Sequence, residues 1–260
     1  MASENWLGDQ VANTQVVVIA GGKAKRMGTD IPKCLLEISG KKLVDICIES
    51  MIKEGFREFV FLLGHKHEMV TEHVGNGSRY GIEANFSIDP PSILGWGKGK
   101  AFKYALQTNK IDPTKRSIVV FPDDIIMEER IFSKYLMNHL EAKRKNHHVF
   151  ASTLLVPGTE YPYGVAEVDT EGMVQEFTEK PFLNKLTSVG VYIFEPEVYA
   201  IIQDLISLDD ASPVDLESTI MPYLVAEKKL ASFLIPSDKW IPINTMKEYE
   251  QAIKVFSKNS

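Results

Sequence analysis

Positive charge is scarce in this chain. Its 260 residues carry 29 lysines and arginines against 35 aspartates and glutamates, a net charge of −6 at pH 7. That balance excludes broad nucleic-acid binding, which relies on a basic footprint. An anionic small molecule remains admissible, because cations gathered in one loop set the local field there. Cysteine is nearly absent. Cys34 and Cys47 both fall in apolar-periodic sequence, as expected of reduced core residues and not of a disulfide or metal cluster. No apolar run approaches the roughly 20 residues that cross a bilayer, so no membrane association is expected. The first ten residues lack a basic stretch followed by an apolar one, which argues against a secretory signal and for a cytoplasmic location. Residues 1–14 read as a short polar arm. The six histidines form no metal-ligand spacing, and motifs for a serine or cysteine nucleophile are missing. So are Ser- or Gly-rich linkers, low-complexity tracts and internal repeats.

What the chain does contain is a β-branched run, Val16-Val17-Val18-Ile19, breaking onto Ala20-Gly21-Gly22 and followed by Lys23, Arg26 and Pro32-Lys33. The run has the composition of a buried parallel strand. An apolar-periodic segment resumes at Leu35. A strand, a glycine turn and a helix in that order gather bare backbone N–H groups, which suits a phosphate. Arg26 and Lys33 place a cation on each side of the turn, and Pro32 stiffens the approach to Lys33. That pairing favours phosphate binding over an ordinary strand-to-helix turn with basic surface residues.

Through the first half, strand-like and helix-like segments alternate. Strands are expected over 59–63, 82–88 and 117–121, and helices over 42–54, 65–74, 100–107 and 129–145. Such alternation predicts a mostly parallel sheet covered on both faces. After about residue 148 the rhythm changes. A strand is expected over 149–156, a hairpin from 165–168 and 173–177 around Asp169-Thr170-Glu171-Gly172, and another strand over 188–194. Glu195-Pro196 opens a helix running to 205. Ser212-Pro213-Val214-Asp215 combines an N-cap residue, a proline at the first helical position and an acid in the first turn. Thr245 and Glu248 form a capping box for a last helix. Residues 15–257 are therefore read as one α/β domain with two halves, 15–147 and 148–257, sharing a sheet.

Four further strings carry chemistry. Phe121-Pro122-Asp123-Asp124 ends a central strand, where ligands sit in open parallel sheets, and a carboxylate there suits a metal–phosphate group. The alternative is a polar strand end capping a helix. Leu94-Gly95-Trp96-Gly97-Lys98-Gly99-Lys100-Ala101 places glycines on alternate positions, which makes a poor strand or helix and favours close backbone approach over a flexible surface loop. Trp96 either stacks on a ligand or packs under that loop. Tyr163-Gly164 precedes the hairpin and Glu179-Lys180-Pro181 follows it. Asn244, next to the last helix, is either an oxygen donor or a turn former.

Together these strings resemble the sugar-1-phosphate nucleotidylyltransferases, whose signature runs Leu-Ala-Gly-Gly-x-Gly-Thr-Arg-Met or Leu, then Pro-Lys and two apolar residues. The resemblance covers residues 15 to about 253. It implies a Rossmann-like three-layer nucleotidyltransferase fold, with a mostly parallel mixed central sheet and a smaller hairpin-containing sugar lobe. It also implies a reaction: an NTP and a sugar 1-phosphate give an NDP-sugar and pyrophosphate, with Mg²⁺ as cofactor. On that resemblance Ala20, Gly21, Gly22 and Lys23 cradle the nucleotide, Arg26 holds the departing pyrophosphate and Lys33 the α-phosphate. Asp123 binds magnesium with Asp124 beside it. Gly97, Gly99 and Lys100 line the base and ribose pocket, Lys100 standing where uridylyltransferases have histidine. Gly164 and Glu179 bind the sugar, Lys180 its phosphate, and Gly190 allows the sugar close. Asn244 is the candidate second metal ligand, because Pro242 occupies the position of the usual aspartate.

The chain also departs from the signature at Ala24 and Lys25, where glycine and threonine are usual. The glycine loop and Phe121-Pro122-Asp123-Asp124-Ile125-Ile126 look closest to enzymes using UTP (or dTTP) with glucose 1-phosphate. Cytidylyl transfer to a non-sugar phosphate and a catalytically inactive nucleotide-sugar sensor are the competing readings. A homo-oligomer is compatible with the sequence.

Overall fold

Seven strands form the central sheet of the computed structural model, which describes residues 2–22, 28 and 30–258. In chain order the strands used below are β1 (Thr14–Ile19), β2 (Glu58–Leu63), β3 (Glu83–Ile88), β4 (Arg116–Val120), β5 (Asp124–Ile126), β6 (Ala151–Val156), β7 (Val165–Val168), β8 (Val174–Thr178), β9 (Thr187–Phe194), β10 (Leu230–Leu234) and β11 (Trp240–Pro242). The helices are α1 (Ala2–Ala12), α2 (Leu43–Ile52), α3 (His67–Val74), α4 (Lys98–Gln107), α5 (Ile131–Lys145), α6 (Pro196–Leu205), α7 (Leu216–Ala226) and α8 (Met246–Lys258). The sheet order is β10-β6-β9-β4-β1-β2-β3. Only β9 runs antiparallel to its neighbours, β4 and β6; the other pairings are parallel.

The β-branched run explains why β1 lies near the middle. Val16 and Val18 enter one apolar core with α2, α3 and α5. Val17 and Ile19 enter the other with α4, α6 and α7. A strand buried on both faces must be apolar at consecutive positions, since alternation would put polar groups into one of the two cores. Each such side chain contributes about 1.5–3 kcal/mol by leaving water. A third, smaller cluster joins Ile125, Ile243 and Ala252, seating α8 beside β5. Cys34 is buried and Cys47 partly so, both as free thiols, and burial pushes each thiol up to about 12. They stay protonated and unreactive at neutral pH.

Several boundaries differ from the sequence expectation for identifiable reasons. The N-terminal polar arm is helical, and α1 packs Val11 into the core. Helices α3 and α5 begin two residues late, after Lys66 and Arg130 adopt left-handed backbone (φ 53° and 56°), which a right-handed helix cannot include. Helix α7 begins at Leu216, not at Ser212-Pro213, and Asp215 makes no side-chain cap to it. Its carboxylate Oδ1 instead accepts the backbone N–H of Lys98 at 2.8 Å. The capping box of α8 is present: the Glu248 N–H donates to Thr245 Oγ1 (3.2 Å), and the Thr245 N–H donates to Glu248 Oε2 (2.8 Å). Strand β10, at the sheet edge, carries no strong sequence signal; it is only partly buried.

Candidate active site

The ends of β1 and β4 lie side by side, because the two strands pair in register from Thr14↔Arg116 to Val18↔Val120. Ala20-Gly21-Gly22 and Phe121-Pro122-Asp123-Asp124 therefore leave the sheet together. Strand β11 pairs with β5, setting Pro242 opposite Asp124. The Ile243 N–H donates to the Asp123 carbonyl at 2.9 Å, and this bond draws Asn244 towards Asp123. Lys33 completes the cluster. Its backbone N–H donates to the Gly22 carbonyl at 3.3 Å. Its ammonium is bonded to Asp123 Oδ2 and donates to Asn244 Oδ1 at 3.1 Å. Three segments far apart in sequence thus meet at the Lys33 ammonium.

Around that atom opens a cleft of about 270 Å³, lined by Ala20, Gly22, Lys33, Asp123, Asp124 and Gly190 among others. Burial, reinforced by the charge of Asp123, pushes the Asp124 carboxyl up to about 7. The Trp240 indole N–H donates to its Oδ1 at 2.9 Å. Gly190 (φ 79°) is forced by this neighbour: a Cβ there would stand 2.9 Å from Asp124 Oδ2, besides straining the backbone. Two hard oxygen donors, Asp123 and Asn244, already share a cation in the form of the Lys33 ammonium. Their chemistry and convergence fit a magnesium ion, which prefers few carboxylates and leaves room for phosphate and water. Among the described residues no group of three or more His, Cys, Asp or Glu could hold a metal by itself.

Beyond Gly21-Gly22 lies a second chamber, about 200 Å³, lined by Leu62, Asp89, Trp96, Gly97 and Asp215 and sharing Ile19, Gly22 and Lys98 with the first. Trp96 packs under the loop, one of the two roles its sequence left open. Its indole N–H donates to the Pro90 carbonyl at 3.3 Å, its ring meets Tyr104 edge-on at 6.0 Å, and it also walls the chamber.

Lys98 and Glu217 are the residues that sequence reading failed to place. Lys98 Nζ lies 2.8 Å from Glu217 Oε2 and 5.3 Å from the Phe121 ring centroid, at the junction of the two chambers. Lys98 stands within the glycine-rich loop that the sequence marks, without a role of its own there. Nothing local in the sequence points to Glu217, which arrives from α7 by tertiary packing.

Lys100 requires a correction. It is fully buried, its ammonium donating to the Leu94 carbonyl at 2.9 Å and bonding the Asp210 carbonyl. It therefore braces the loop from behind and lines neither chamber. The glycines of this loop admit the protein's own chain: a Cβ on Gly95 would lie 1.9 Å from the Ala211 carbonyl oxygen, one on Gly97 2.4 Å from that of Val214, and one on Gly99 2.8 Å from the Ile206 side chain.

Gly164, Glu179 and Lys180 gather at the β7–β8 hairpin. A Cβ on Gly164 would meet Phe177 at 2.5 Å and Glu179 Oε2 at 3.0 Å, and Lys180 Nζ is 3.6 Å from Glu179 Oε1. None of the three is among the residues lining the cleft. Lys23 and Arg26 lie outside the described residues. No helix among the described residues is long and apolar enough to cross a membrane.

Known proteins resemble the chain over nearly all of its length. It is 25% identical over 253 residues to the UTP–glucose-1-phosphate uridylyltransferase of a Synechocystis strain, an alignment covering 92% of this chain and 62% of that protein. It is 25% identical over 239 residues to the mannose-1-phosphate guanyltransferase of Pichia angusta, covering 90% and 61% respectively. The chain thus spans about six-tenths of the length of these curated relatives. The fold is shared with HddC from Yersinia pseudotuberculosis, solved in complex with GMP-PN: TM-score 0.65, 21% identity, and coverage of 93% and 99%. Residues 15–259 match the model of the nucleotidyl transferase family, and the chain belongs to that family.

Proposed function

We propose that the cleft transfers a nucleotidyl group from an NTP to a sugar 1-phosphate, releasing pyrophosphate. The observation that carries this reading is the Lys33 ammonium, shared by Asp123 and Asn244 in the first of two chambers that have Gly22 and Lys98 in common. In-line attack of an ionised phosphate oxygen on the α-phosphorus needs no general base. It needs positioning and charge neutralisation. Lys33 is oriented by its two acceptors before substrate arrives, so its charge is preorganised where negative charge accumulates. Asp123 and Asn244 are the residues that would hold magnesium, which would supply positive charge to offset that of the phosphates. Gly22 and Lys98, shared by both chambers, suit the phosphates and ribose between them. Arg26 takes the departing pyrophosphate and Lys180 the attacking phosphate, on the family resemblance.

The finer reading is UTP (or dTTP) with glucose 1-phosphate. Its support is the motif of residues 97–101 and the uridylyltransferase relative. Part of that support weakens once Lys100 is found behind the loop. GTP is the competitor, on the strength of a relative named for guanyl transfer. The test is a matrix of NTPs against sugar 1-phosphates with Mg²⁺, read as pyrophosphate release. Product from at least one pair supports transfer, and no product from any pair favours the sensor reading. Activity confined to CTP with a non-sugar phosphate favours cytidylyl transfer.

A further inference from the structure

The Lys33 ammonium is tied to the same two oxygens that the reaction above gives to a metal. It is bonded to Asp123 Oδ2 and donates to Asn244 Oδ1 at 3.1 Å. A magnesium ion on those oxygens would stand about 2.0–2.1 Å from each, a position that overlaps the one the ammonium takes. The Lys33 and Asp123 side chains are only 15% and 24% exposed, so water screens little of the repulsion between two cations there. One pair of oxygens serves one cation at a time.

We propose that the Lys33 ammonium and the divalent ion are alternative occupants of the Asp123–Asn244 position, so that Lys33 holds back the binding of metal alone. The exchange belongs to the side chain, because the backbone of Lys33 is pinned. Its N–H donates to the Gly22 carbonyl at 3.3 Å, and its carbonyl accepts the Leu36 N–H at 3.1 Å. Cys34 and Leu35, next along the chain, are buried. A lysine stem of four carbons, by contrast, rotates readily.

An ammonium that leaves these oxygens needs another acceptor. Asp124 and Glu217 are the other carboxylates lining the cleft, and each already holds a donor. Asp124 accepts from the Trp240 indole at 2.9 Å, and Glu217 pairs with Lys98 at 2.8 Å. The acceptor left is a phosphate oxygen of the substrate, and for that step the inference rests on the nucleotidyl-transfer reading. Lys33 then turns from Asp123 to the phosphate as the metal takes its oxygens. Metal and phosphate each favour the other's binding through one side chain.

The exchange is tested with the metal alone. Binding of Mn²⁺, a paramagnetic stand-in for magnesium, is titrated by electron paramagnetic resonance with no nucleotide or sugar phosphate present, alongside thermal melts. Lys33→Met is expected to bind Mn²⁺ about tenfold or more tighter than the wild-type protein, since no ammonium has to leave first. Lys33→Gln, a polar neutral replacement, should tighten it likewise and covers a Lys33→Met that folds poorly. Adding Asp123→Asn to either should abolish the gain. Lys98→Met removes a cation from the same cleft without touching those oxygens, and should change Mn²⁺ affinity by no more than about threefold. Neutral variants at Lys33 that bind Mn²⁺ no tighter than wild type, or a Lys98→Met that tightens it as much, would overturn the proposal. Tightening at Lys33 with no pyrophosphate released from any substrate pair would sustain the exchange and overturn only the transfer reaction. Release without tightening overturns the exchange alone.

Discussion

The two glycine-rich loops of this protein look alike in sequence and serve opposite ends. Gly22, in the first, has nothing within 4 Å of the position a Cβ would take, and it faces the cleft. Gly95 and Gly97, in the second, would drive a Cβ into the backbone of residues 211–214. Both loops answer the same demand for bare backbone. In one the approaching partner is left to a ligand; in the other it is the chain itself, bringing α7 with Glu217 and Asp215 up to Lys98. Glycine spacing reports that something comes close, and only the tertiary structure says what.

Substitutions separate the two roles, and the largest effect belongs to the carboxylate beside the first loop. Asp123→Asn is expected to lower turnover by about 10³-fold, since an amide replaces the charge that holds Lys33 and that is proposed to hold the metal. Its melting temperature should stay close to wild type. Steady-state kinetics with a matched thermal melt checks this, and near-normal turnover would remove Asp123 from the chemistry.

In the second loop the damage is expected in stability. Gly95→Ala adds a Cβ against a backbone carbonyl at a positive φ (58°), which should cost about 2–4 kcal/mol. That corresponds to a melting shift on the order of 5–15 °C in a chain of this size. Gly22→Ala should leave stability within about 0.5 kcal/mol while raising the KM for the NTP. If both variants melted alike, the contrast between the loops would collapse.

A smaller effect sharpens the role of Asn244. Its side-chain oxygen accepts from Lys33, while the cap of α8 is made by Thr245 and Glu248. Asn244→Ala is therefore expected to shift the Mg²⁺ titration to higher concentration with little change in melting. Thr245→Ala should do the reverse, losing about 1 kcal/mol of stability at unchanged Mg²⁺ demand. The reversed pattern would make Asn244 a turn former only.

How much of this was legible beforehand depended on whether the cause was local. The order of the sheet's inner strands follows from β-branched runs that only a two-sided core tolerates. Lys33 and Asp123 could be named because they stand beside strand ends, where a parallel sheet exposes its polar termini. Lys100 was placed by the resemblance, where relatives have a histidine, whereas tertiary packing buries it against the carbonyls of Leu94 and Asp210. Lys98 and Glu217 meet across 119 residues, a pairing with no sequence signature at all.

The most direct test of the central claim is pyrophosphate release from the NTP and sugar 1-phosphate matrix, run on the wild-type protein and Lys33→Ala side by side. The account predicts magnesium-dependent release from at least one pair, lowered about 10²-fold or more in the variant at an unchanged melting temperature. Release that survives intact in Lys33→Ala, or that appears with no substrate pair in the wild-type protein, would contradict it.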